Sequence, residues 1–167
     1  MPACLRNWKR VWRPMEKREI AFLSVEPSER QIIDGLIAQV PDNGWQELDK
    51  REDGYSRINV TSDVTHFANL NISCDVYSIT SKFKEPKKEK APILLSYLDT
   101  VLQGFLDIYG ETGASDFCKT TEGWDRPILD DRANPQYPRH CNLSKLETTK
   151  VDELIEDKLV IKSNTLR

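Results

Sequence analysis

A chain of 167 residues with 38% hydrophobic and 31% charged side chains has the balance of one folded domain rather than of a disordered segment. No apolar run approaches the roughly 18–20 residues of a membrane span, and the opening MPACLRNWKR lacks a signal core; a soluble, cytoplasmic protein without a transmembrane segment is expected. Charge is uneven: in residues 1–18 six cations stand against Glu16 alone, a local +5, so with −3 overall residues 19–167 carry −8.

Residues 1–18 therefore read as a basic N-terminal arm ahead of a single α+β domain over 19–162, with a frayed end over 163–167. In the arm, Trp8 and Trp12 stand at i, i+4 spacing, with Lys9, Arg10 and Arg13 between and beyond them. Such a stretch can grip phosphates while its indoles stack on bases or dip into an anionic surface. It equally describes a short helix, limited by Pro14, whose tryptophans dock on the core.

Residues 19–25 (EIAFLSV) read as a first strand, stopped by Glu26-Pro27. Ser28 and Gln31 then make a capping-box pattern, and Ile32, Ile33, Leu36, Ile37 and Val40 recur at helical spacing. A helix over 28–40, ended by Pro41-Asp42-Asn43-Gly44, is the expectation. Residues 45–50 are expected as a short strand, 51–54 as a turn and 55–61 as the partner strand.

Residues 67–80 carry the clearest strand signal. Leu70, Ile72, Cys74 and Val76 alternate with Asn69, Asn71, Ser73 and Asp75, which buries one face and leaves the other polar. Ile58 and Val60 continue the inner face; Arg57, Asn59, Asn69, Asn71, Asp75 and Tyr77 continue the outer one. A solvated sheet face has this composition, and so does a surface that recognises a protein by hydrogen bonds.

Residues 82–90 (KFKEPKKEK) are expected as a charged loop, its basic run broken by glutamates. Pro92 suits a first helical turn, and Leu94, Leu95, Leu98, Val101, Leu102, Phe105, Leu106 and Tyr109 run at helical spacing to a stop at Gly110. Residues 111–142 hold three prolines and two glycines with no long period, and read as a long loop. Ser144 with Glu147, or Thr149 with Asp152, can cap a last, shorter helix through Leu154, Ile155 and Leu159.

The long loop carries the densest chemistry. Asp125, Asp130 and Asp131 could hold a hard divalent cation for a metal-dependent hydrolase acting on nucleic acid, with His140 as the base on water. Solvated turns with local ion pairs use the same residues. A zinc site from Cys118, His140 and Cys141 lacks the spacing of structural zinc motifs. The Pro41-Asp42 and Glu85-Pro86-Lys87 pair imitates a nuclease pattern, with a proline where a strand should continue. Gly-rich phosphate loops, a G-x-S-x-G elbow and H-E-x-x-H are absent, so no cofactor is expected.

The expected architecture is an α+β two-layer sandwich: a mainly antiparallel sheet of three or four strands, two principal helices on one face and the shorter C-terminal helix. The expected function is a non-catalytic protein-binding role, of the inhibitor, immunity-type or adaptor kind, using the acidic body and the polar sheet face. The hydrolase of the aspartate loop and nucleic-acid or anionic-surface binding through residues 1–18 are its alternatives.

Overall fold

The computed structural model describes residues 1–16, 18–68, 71–80 and 90–163. It is a mixed α+β chain, with a three-stranded antiparallel sheet and three α-helices. Among the described residues no helix is long and apolar enough to cross a membrane.

Residues 2–14 are not a free arm. They form β1 (Pro2–Pro14), the central strand of the sheet, paired along its length with β2 (Ala21–Leu36) from Pro2↔Leu36 to Pro14↔Ala21. A four-residue spacing is even, so it suits one face of a strand as well as one face of a helix. Pairing with residues far along the chain decides between them.

The same pairing overturns the helix expected over 28–40. Ile32 and Ile33 are β-branched and fit a pleated surface, and β1 supplies the backbone partners an isolated helix would supply to itself. The helical stripe is split: Ile33 is buried, whereas Ile32 and Leu36 are 58% and 56% exposed. The ladder shifts between Arg6 and Trp8, where Asn7 and Arg30 both take positive φ and the Arg30 N–H donates to Asn7 Oδ1 at 3.3 Å.

The strand expected over 45–50 is a helix, α1 (Trp45–Arg51). Its Gln, Glu, Leu, Lys and Arg side chains keep their rotamer freedom in a helix. β3 (Ser56–Asn59) follows, then β4 (Val64–His66), which lies along β1 on the side away from β2. Strand 67–80 is shorter than expected: only β5 (Asp75–Ser78) is regular, paired antiparallel with β3. Its inner side chains nevertheless follow the alternation, with Cys74 buried and Ile72, Val76 and Ile58 packed on Leu5, Trp8, Ile33 and Val60. Asn69 and Leu70, the charged segment 81–89 with its Glu85-Pro86-Lys87, and the end 164–167 lie outside the described residues.

β6 (Ile93–Leu94) pairs in parallel with β7 (Ile128–Leu129), and α2 (Leu95–Thr120) starts directly after it. The expected stop at Gly110 is only a kink, with φ 66° and ψ −169°: the helix resumes and continues to Thr120. Ala114, Phe117 and Cys118 of that second stretch enter the core, which the loop reading of 111–142 missed. Non-glycine residues reach that backbone region only at a cost of about 1–3 kcal/mol. Because no atom lies within 4 Å of a Cβ built there, Gly110→Ala should lower stability by about that amount through the backbone alone, readable as a fall in thermal midpoint.

α3 (Lys145–Ser163) is capped as expected: the Ser144 N–H donates to Glu147 Oε2 at 2.7 Å, and the Glu147 N–H to Ser144 Oγ at 3.3 Å. Val151 and Ile155 bury its inner side with α2 in the larger core, around Trp12, Ile93, Leu98, Leu102 and Phe117. All four cysteines are free thiols.

Candidate functional site

The aspartate loop is divided among separate structural tasks. The exposed Asp125 pairs with Lys90, and Asp130 Oδ1 closes a local turn by accepting the Arg132 N–H at 3.1 Å. Asp131 is buried. Its Oδ1 accepts the Ser96 N–H at 2.8 Å, while Oδ2 accepts the Ser96 hydroxyl at 2.6 Å and the Gln136 N–H at 2.8 Å. Ser96 lies in the first turn of α2, so Asp131 caps that helix from across the fold and satisfies one of its free N–H groups.

Arg132, next in sequence, forks onto the buried Asp99 at 2.8 and 2.7 Å and reaches Asp152 on α3 at 2.7 Å. His140 is exposed, its Nδ1 3.0 Å from the Tyr137 carbonyl. Among the described residues no three His, Cys, Asp or Glu side chains are grouped to hold a metal ion. Asp125, Asp130, Asp131 and His140 thus occupy different local networks, and the hydrolase reading finds no shared centre in them.

Part of the basic segment is likewise turned inward. Trp8 and Trp12 are buried, and the Trp8 indole N–H donates to Asp63 Oδ2 at 3.1 Å. Arg10 is buried too. Its guanidinium lies 5.0 Å from the Phe105 ring centre and 5.4 Å from that of Phe117, and donates to Thr120 Oγ1 at 3.1 Å and the Asp34 carbonyl at 2.9 Å. Burial pushes Arg10 below its ordinary pKa, and the nearby Asp34 and Tyr109 oppose that shift. Arg13 pairs with Glu26, and Lys9 bridges Glu26 at 3.1 Å and Glu122 at 2.7 Å. Burial raises Glu26, but hydrogen bonds from Arg13 and Lys9 outweigh it and hold the carboxyl below its usual range.

The polar sheet face does assemble. Arg57 stands directly opposite Tyr77, and Asn59 opposite Asp75, on the β3–β5 ladder. The Arg57 guanidinium lies 4.6 Å from the Trp45 ring centre and pairs with Asp49 at 3.1 Å and with Asp75 at 3.3 Å. Asn59 Nδ2 donates to Asp75 Oδ1 at 2.8 Å and to Ser73 Oγ at 3.2 Å. The Tyr77 hydroxyl donates to Asp49 Oδ1 at 2.5 Å. Desolvation and that hydrogen bond push the Tyr77 phenol up to about 12, so it remains a donor across the physiological range. Asn71 is exposed apart from this network, and Asn69 lies outside the described residues.

Sequence reasoning missed Trp45 and Asp49 because residues 45–50 read as a strand; placed on α1, they complete the network. It also missed a group of tyrosines beside the edge strand β2. Tyr55 donates its hydroxyl to the Leu23 carbonyl at 3.2 Å. Tyr97 stacks on Tyr137 with ring centres 4.2 Å apart and meets Trp12 edge-on at 5.4 Å.

Burial pushes Tyr97 up to about 12 and Tyr55 well above the usual phenol range, with the Glu52 charge adding to both and Arg139 opposing. Both phenols stay protonated, and Tyr55 covers a backbone carbonyl that an edge strand would otherwise present to another chain. Three separate stretches of the chain supply these tyrosines, and no period in the sequence links them.

No protein-family model matches the chain, and neither a curated protein nor a solved structure matches it.

Proposed function

We propose that the protein has a non-catalytic, protein-binding role in the cytoplasm, as an inhibitor, immunity-type or adaptor protein. The observation that carries this reading is the pre-ordered network of Arg57, Asn59, Asp75 and Tyr77, joined by Asp49 and Trp45 of α1. Arg, Tyr and Trp are the residues that concentrate binding energy at interfaces. Holding them in place before contact reduces the entropy lost on association.

In this reading α2 and α3 form the helical layer of a two-layer sandwich, and the β3–β5 surface is left to the partner. Asp49, Asp75 and the −8 carried outside residues 1–18 favour a partner with a basic surface, whose approach such a field accelerates. Nucleic-acid binding through residues 1–18 has less support, since Trp8, Arg10 and Trp12 are spent on the core.

The test is affinity capture from native lysate with the wild-type chain beside Arg57→Ala and Tyr77→Phe. Both variants should fold, each within about 1 kcal/mol of wild type, because the ion pairs and hydrogen bond they remove are exposed. A partner held in stoichiometric amount by wild type and lost by Arg57→Ala is the expected result. Capture that is equal for both, or no stoichiometric partner at all, would overturn the proposal.

A further inference from the structure

We draw no further inference here: the strongest candidate, the cavity of about 560 Å3 between the first turn of α2, β7 and α3, is a set of carboxylates (Asp130, Asp152, Glu153 and Glu156) above Leu95 and Ile155, and nothing in the structure shows what would occupy it.

Discussion

Trp12→Ala should destabilise the protein by about 3–5 kcal/mol, the range for removing a large aromatic from a packed core. The side chain is 1% exposed and touches Tyr97 and Trp124 edge-on, with ring centres 5.4 and 5.9 Å away. It belongs to the same cluster as Ala21, Ile93, Leu98 and Phe117, drawn from strands and helices far apart in the chain. Alanine would leave a void those elements could refill only by moving together. Single domains are stable by roughly 5–15 kcal/mol, so such a loss removes a large part of the total.

Urea unfolding followed by far-UV circular dichroism reads this as a fall in midpoint with an unchanged slope. Two companion variants sharpen the test. Trp12→Phe should cost less than alanine, because it keeps most of the ring volume and the Trp12 indole N–H has no hydrogen-bond partner among the described residues. Arg13→Ala should shift stability by no more than about 1 kcal/mol, since its pair with Glu26 is exposed. If residues 1–18 were instead a detachable binding arm, Trp12→Ala would leave the midpoint where it was.

What could be read from the sequence follows the range of the interactions involved. The first stretch of α2 and the Ser144–Glu147 cap are set by neighbours within a few residues, and each is where the pattern placed it, whereas the expected helix end at Gly110 is a kink. The alternation through Ile72, Cys74 and Val76 also survives as burial, although only Asp75–Ser78 keeps regular pairing.

β1 and the far half of β2 are different, because each is extended on account of the other. Read alone, 28–40 has a helical period and 1–18 has the charge of a solvated arm. The environment that lets Arg10 be buried comes from Asp34, Phe105, Phe117 and Thr120, and no local window contains them together. The polar face was half legible for the same reason. Arg57, Asn59, Asp75 and Tyr77 lie on paired strands, but the Asp49 that links Arg57 to Tyr77 comes from a helix whose residues read as a strand.

Asp131→Asn should cost about 2–3 kcal/mol at neutral pH and make stability less sensitive to acid. Burial alone would raise this carboxyl, but donation from the Ser96 hydroxyl and from the Gln136 and Ser96 backbone outweighs it, and the folded-state pKa is depressed. An unfolded aspartate titrates near 3.9. A depressed native value means the unfolded chain takes up the proton first as pH falls. The stabilisation from Asp131 is therefore complete above about pH 5, declines through the unfolded pKa, and is gone below the native one.

Asparagine cannot carry the charge, and its amide nitrogen would face the Ser96 and Gln136 donors that the carboxylate oxygens now accept. Its cost should therefore be largest at neutral pH and shrink as pH falls. Glu147, held down to about 2 first by the Ser144 hydroxyl and then by Gln103, should keep part of the acid slope in both proteins. Denaturant midpoints of wild type and Asp131→Asn between pH 7 and pH 2 test this directly. Curves that converge toward acid place Asp131 as the cap of α2. Parallel curves would remove it from that role, as would a variant as stable as wild type at pH 7.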